Sequence, residues 1–153
     1  MSQINKIINS AEQQCKAKGV RLTDKRKQVL SALIQSKKAL SAYELVDYLK
    51  DEFKAPLPAM SVYRILDFLQ TEQLVHKLDI ANKYVACAHI TCGHDHGTPQ
   101  FLICNNCNSV TEVVIPNDII QQLQNNVTDA GYILDSTQIE MSCRCQVCNA
   151  QTA

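Results

Sequence analysis

Hydrophobic positions in the first half of the chain recur at intervals of three and four residues, the spacing that gives a helix one apolar stripe. Ile4, Ile7, Ile8, Ala11 and Cys15 form the first stripe, and Gly19 follows where a helix C-cap is expected. Thr23 is placed to cap a second helix with Val29, Leu30, Leu33 and Ile34 on its inner face. Ser41, with Glu44 three residues on, makes a capping box, which predicts a third helix starting at Ser41 or Ala42 and burying Leu45, Leu49 and Phe53. Pro56 and Pro58 interrupt the chain. A fourth helix is predicted from about Ala59 to Gln73, with Val62, Ile65, Leu66 and Leu69 inside and Met60, Tyr63, Arg64 and Asp67 outside.

From Leu74 the pattern shortens to a hairpin, Leu74 to Leu78 and Lys83 to Cys87 around a turn at Asp79 to Asn82. Helices followed by such a wing predict a winged helix-turn-helix, in which the third helix supports the fourth for entry into a DNA major groove. After a His-rich connection, Ala88 to Pro99, the pattern predicts strands Phe101 to Cys104 and Val110 to Ile115. A helix from about Pro116 to Asp129, ended by Gly131, and a strand from Tyr132 to Ser142 complete the chain. The fold class is therefore α+β, an N-terminal winged helix-turn-helix followed by a C-terminal ββαβ lobe.

Composition sharpens that division. The chain has 153 residues, 46% of them hydrophobic, enough for a folded core, and its net charge is zero. Residues 1–84 nevertheless carry 14 Lys and Arg against 9 Asp and Glu, whereas residues 85–153 carry only Arg144 against 6 acids. Seven of the eight cysteines and three of the four histidines fall in the second part. Residues 1–84 are thus expected to meet a polyanion and residues 85–153 to bind cations. No apolar run reaches a membrane span, and the opening MSQINKIINS lacks the blocks of a signal peptide, so the expected location is the cytoplasm, without membrane association. Cysteines in that compartment favour thiolate metal ligands over disulfides.

The strongest chemical signal is a pair of C-x-x-C knuckles, Cys104/Cys107 and Cys145/Cys148. Two intervening residues let a turn offer both sulfurs to one ion, and four thiolates close a tetrahedral zinc shell, the pattern of a structural site. Each knuckle ends a predicted strand of one sheet, so the two can meet. A second, looser set comprises His76, Cys87, His89, Cys92, His94, His96 and Glu112, around the junction of the two parts. Its mixture of sulfur, nitrogen and oxygen favours zinc over magnesium, calcium or manganese, with copper and cobalt also possible. A zinc enzyme would need an open coordination position and a nearby base. The H-x-E and P-C-x-x-C signature of deaminases is absent, as are a phosphate loop and a Ser-His-Asp order, so no enzymatic activity and no small-molecule substrate are expected.

The stretches RLTDKRKQVL (21–30), LSAYELVDYL (40–49), SVYRILDFL (61–69), LVHKLDIANKYVAC (74–87) and FLICNNCNSVTEV (101–113), with CQVC at 145–148, resemble the ferric uptake regulator family, and within it the zinc uptake regulators. The resemblance spans nearly the whole chain. It implies a homodimeric, zinc-responsive repressor of zinc uptake genes that binds palindromic double-stranded operator DNA when loaded with zinc. The same scaffold could instead sense iron, manganese, nickel or peroxide. By the resemblance, Cys104, Cys107, Cys145 and Cys148 hold structural zinc, while His76, Cys87, His96 and Glu112 hold regulatory zinc, with His94 the alternative to His96. That is about two ions per subunit, the first in a closed four-ligand shell. Tyr43, Tyr63 and Arg64 match positions the family uses at DNA, and Lys25 and Arg26 are read as phosphate contacts. Two departures stand out. Cys143 adds a thiol that could replace Cys145, and the segment between Cys87 and Cys104 runs about two residues longer than the zinc-sensor pattern, as loops tolerate. The last strand has no histidine, so a further site that iron-responsive members place there is not expected.

Overall fold

The computed structural model describes residues 2–92, 97–135 and 138–151. They form two compact units, Met1–Gly93 and His94–Ala153. The first contains helices α1 (Gln3–Ala17), α2 (Asp24–Ser36), α3 (Ala42–Glu52) and α4 (Ala59–Thr71), then a hairpin of β1 (Val75–Leu78) and β2 (Lys83–Ala86). The second contains β3 (Pro99–Cys104), β4 (Val110–Val114), α5 (Asn117–Asp129), β5 (Ile139–Cys143) and α6 (Gln146–Gln151). Among the described residues, no helix is long and apolar enough to cross a membrane.

The helix starts follow from local side-chain chemistry. Thr23 Oγ1 accepts from the Arg26 amide at 3.4 Å. At α3, Ser41 Oγ accepts from the Glu44 amide at 3.1 Å, and the Glu44 carboxylate accepts in return from the Ser41 amide at 2.8 Å. Gly19, at φ 75°, occupies the left-handed conformation just past α1 that a side chain would resist. Helix α4 stops at Thr71, short of the expected Gln73, because Gln73 itself turns to φ 60°.

Ala11 and Cys15 of α1, Val29 and Leu30 of α2, Leu45 and Leu49 of α3, and Val62, Leu66 and Leu69 of α4 are all buried in one core. Each such leucine contributes about 1.5–3 kcal/mol by leaving water. Ile34, Phe53 and Ile65, expected inside, are half-buried at its margin. With its inner stripe locked in this core, α4 must present Met60, Arg64 and Asp67 to solvent, as their exposure shows.

In the hairpin, antiparallel pairing sets His76 opposite Val85 and Lys77 opposite Tyr84. Leu40, just before α3, exchanges backbone hydrogen bonds with Tyr84 at 3.0 and 2.8 Å. The Cys87 amide continues the pairing by donating to Leu74, and Ile90 is buried. The charge boundary at 84/85 falls inside β2, where backbone pairing holds the chain.

The second unit is a three-stranded sheet in the order β4-β3-β5, antiparallel between β3 and β4 and parallel between β3 and β5. Its buried hydrophobic residues are few among those described: Phe101, Ile103, Cys104, Ile115 and Cys148. Helix α5 buries none of its side chains. Two expectations need correcting here. The last strand begins at Ile139 instead of Tyr132, since Tyr132 and Ile133 are 72% and 89% exposed and pair with no strand among the described residues. After it comes the short helix α6, whose polar sequence QVCNAQ gives no apolar stripe to read.

The capping box lends itself to a stability test. The Ser41 amide first, and the Lys83 ammonium 3.2 Å away, hold the Glu44 carboxyl below the usual carboxylate range. Such a group stabilises the fold above its unfolded-state pKa, about 4.3, and loses that effect as pH falls through its lower folded-state value. Ser41→Ala is expected to cost about 1 kcal/mol in denaturant melts. The penalty of Glu44→Ala should be larger at pH 7 than at pH 3.

Candidate metal centre

The two knuckles are brought together by the parallel pairing of β3 and β5, whose register sets Cys104 opposite Cys143. Beyond those residues the strands diverge into turns. The Asn105 amide donates to the Cys143 carbonyl at 2.9 Å, and the Asn108 amide donates back to the Cys104 carbonyl at 3.0 Å, with Asn108 at φ 60°. The chain after β5 places Cys145 immediately before α6 and Cys148 inside it. The Sγ atoms of Cys104, Cys107, Cys145 and Cys148 consequently all lie within 4.8 Å of one another. Those of Cys107 and Cys145 are 3.8 Å apart.

Polar hydrogens surround this sulfur cluster. The Cys145 amide donates to Cys104 Sγ at 3.4 Å and the Cys148 amide to Cys145 Sγ at 3.5 Å. Ser109 Oγ is 3.1 Å from Cys107 Sγ. Backbone amides of Cys107, Cys145 and Asn106 bring the Cys104 thiol down to about 6, and the Ser109 hydroxyl lowers that of Cys107. At Cys148 the Asn106 side chain favours the thiolate, but the neighbouring Cys145 sulfur, burial and the Cys107 and Cys104 sulfurs prevail and push the thiol up to about 11. Four adjacent sulfurs cannot all carry negative charge without a cation to share it. Soft, tetrahedrally disposed thiolates fit zinc.

Cys143 lies outside this group. It is half-buried at the end of β5, and its thiol is 3.6 Å from the Met141 carbonyl oxygen. Sequence reading missed Ser109, although a hydroxyl residue two positions after a knuckle cysteine is a readable signal.

Of the looser set, the hairpin unites two. A nitrogen of His76, on β1, and the sulfur of Cys87, just past β2, lie within 4.8 Å of each other. Cys87 is buried and His76 Nε2 is shielded from solvent. Glu112 is half-buried on β4, opposite Phe101. His89 and Cys92 share a tight turn, the Cys92 amide donating to the His89 carbonyl at 3.0 Å, and neither joins a cluster of three ligands among the described residues. His94 and His96 lie outside the described residues.

The residues expected at DNA sit on the first unit. The rings of Tyr43 and Tyr63 meet edge to face, with centroids 6.3 Å apart, which joins the start of α3 to the outer face of α4. Arg64 and Lys25 are exposed. Arg26 is half-buried, with its guanidinium 3.5 Å above the Phe68 ring and Nη1 donating to the Arg21 carbonyl at 2.6 Å. Its charge is fixed in place and partly committed to the protein itself.

The profile of the Ferric uptake regulator family matches residues 17–142. The chain belongs to the ferric uptake regulator family. Among members of that family, the zinc uptake regulation protein of Escherichia coli (strain K12) is 34% identical over 93% of this chain and 81% of its own length. The peroxide operon regulator of Bacillus subtilis (strain 168) is 26% identical over 93% of both chains. Among solved structures of the family, a zinc uptake regulator complexed with zinc and DNA matches with a TM-score of 0.84 at 28% identity, over 100% of both chains. The crystal structure of holo XcZur matches with a TM-score of 0.79 at 32% identity, over 95% of this chain and 99% of that one.

The sulfur geometry separates the candidate thiols by experiment. Cys104→Ser and Cys148→Ser should lose tightly held metal and melt well below the parent, whereas Cys143→Ser should keep both metal content and melting temperature. Elemental analysis with thermal melts of the three purified variants checks this. A structural zinc in a four-thiolate site can be worth roughly 10–16 kcal/mol of folding energy, so the loss should be large.

Proposed function

We propose that this regulator senses zinc and represses zinc uptake genes in the cytoplasm, binding palindromic operator DNA as a dimer when zinc-loaded. The observation that carries this reading is the imidazole and thiol pair of His76 and Cys87, set on the wing of a basic DNA-reading unit. A buried thiolate is a soft ligand. It favours zinc over the iron or manganese that the same scaffold could otherwise sense. Identity of 34% with the zinc uptake regulation protein of Escherichia coli supports the same choice.

In this reading each subunit takes about two zinc ions, one in the closed shell of Cys104, Cys107, Cys145 and Cys148. The second is held by His76, Cys87, Glu112 and His96, with His94 the alternative. Bound there, zinc supplies a divalent charge that ligands of both units can share only in one relative arrangement. His76 and Cys87 contribute from the hairpin, and Glu112 from the sheet of the second unit. Tyr43, Tyr63 and Arg64 then meet the major groove, where an arginine can donate two hydrogen bonds to guanine O6 and N7. Lys25, and Arg26 to the extent that its charge remains available, face phosphates and position the protein without reading sequence. A metal that bound both arrangements equally would shift nothing, so ligands drawn from two units are the source of the switch. Linkage requires operator DNA to tighten zinc binding by the factor with which zinc tightens DNA binding.

Two variants divide the reading into its parts. Cys87→Ala should remain a folded dimer with one zinc per subunit yet bind operator equally with zinc or chelator. Undiminished zinc activation of that variant would place the sensor elsewhere. Arg64→Ala should bind zinc normally but lose about 1–3 kcal/mol of operator affinity and relax preference at one base pair per half-site, whereas Lys25→Ala should weaken binding across all sequences and flatten the salt dependence.

A further inference from the structure

We propose that Met60 reads the 5-methyl group of one thymine in each operator half-site, which makes it a specificity-determining residue beside Arg64. The inference rests on the reading above that α4 enters the major groove. Met60 is in the first turn of α4 and 66% exposed. Tyr63 and Arg64 follow at the third and fourth positions after it, so all three share the outer face that the buried Val62, Leu66 and Leu69 leave uncovered. Long side chains on a helix lean toward its N-terminus, which carries the thioether of Met60 past the end of α4 that leads into the groove.

A single exposed hydrophobic side chain is ordinary on a protein surface. The placement of this one is not ordinary. Among the described residues of the first unit, the exposed large hydrophobics are Tyr43, Met60 and Ile80, at 68%, 66% and 61%. They stand at the start of α3, at the start of α4 and in the turn of the hairpin. All are tips of the elements with which a winged helix approaches DNA, on a unit with 14 basic and 9 acidic residues. A duplex of complementary charge is the occupant this surface fits. Within the major groove, base edges offer hydrogen-bond donors and acceptors throughout, and the thymine methyl is the apolar feature. Methionine is unbranched and adaptable, so it can settle on that methyl while Arg64, one turn further along, bonds a guanine.

The test uses the zinc-loaded full-length dimer and a duplex that the wild-type protein selects from a randomised pool. Each thymine is replaced in turn by deoxyuridine, which removes the methyl and nothing else, and affinity is read by fluorescence anisotropy. At one thymine per half-site, wild type should lose about fourfold in affinity, the worth of one buried methyl-sized group. Met60→Ala and Met60→Gln should bind the thymine and deoxyuridine duplexes equally, while Met60→Leu, which stays apolar, keeps a preference. Because Met60 is exposed, all three variants should melt with wild type. Equal deoxyuridine sensitivity in wild type and Met60→Ala at every position, or none in wild type, would overturn the proposal and leave α4 as the reading helix. A wild-type protein that selects no duplex in zinc would instead overturn the functional reading, and this assignment with it.

Discussion

A sheet of three short strands that buries five hydrophobic side chains among its described residues, two of them cysteines, has little apolar surface with which to offset the entropy of ordering some 60 residues. Units of that size usually need a metal, a disulfide or a second copy to persist. Here the sulfurs of Cys104, Cys107, Cys145 and Cys148 converge at the end of β3 and beyond β5, where backbone pairing gives out. A cation shared by those four sulfurs would fasten the turn after β3 to the segment after β5. The unburied α5 poses the same problem on another surface: Ile119 and Leu123 are 45% and 37% exposed among the described residues, which agrees with the dimer proposed above.

The first unit is built on the opposite principle. Four helices fill its core with leucine and valine, and this burial sets the direction in which α4 faces. Its hairpin is tied into the same body by the exchange of hydrogen bonds between Tyr84 and Leu40. Leu40 is one residue from the Ser41 cap and three from Tyr43. The strand that ends near Cys87 is therefore joined, through one bridge, to the start of the helix carrying Tyr43, whose ring abuts Tyr63 on α4. Backbone pairing and one ring contact thus run without a gap from the hairpin that carries His76 to the outer face of α4.

How much of this could be read from the residues depended on how local the physics was. Capping by Thr23 and by Ser41 with Glu44 needs only three or four consecutive residues, and the structure has both. The stripes of α1 to α4 were legible because each faces a single core. Ile34, Phe53 and Ile65 fall at the edge of that core, a distinction that depends on neighbours remote in sequence. Tyr132, Ile133 and Leu134 look like a strand by composition, yet among the described residues no strand pairs with them, and Ile139–Cys143 takes the place beside β3 instead. The separation of Cys143 from Cys145 was open in the sequence MSCRCQVC. In the structure Cys143 takes the last pair of the sheet, while Cys145 lies past it and groups with the other three sulfurs.

The parallel partnership of β3 and β5 also sets a timescale. A parallel pair cannot close by a tight turn; it must wait for the crossover through β4 and α5, and its sulfurs arrive from both ends of that excursion. Assembly of the sulfur cluster therefore depends on a pairing between segments remote in the chain. His76 and Cys87 lie on a local hairpin, which forms in about 1–10 μs on its own. The four sulfurs thus come together only through a contact between remote segments, whereas His76 and Cys87 meet within one hairpin.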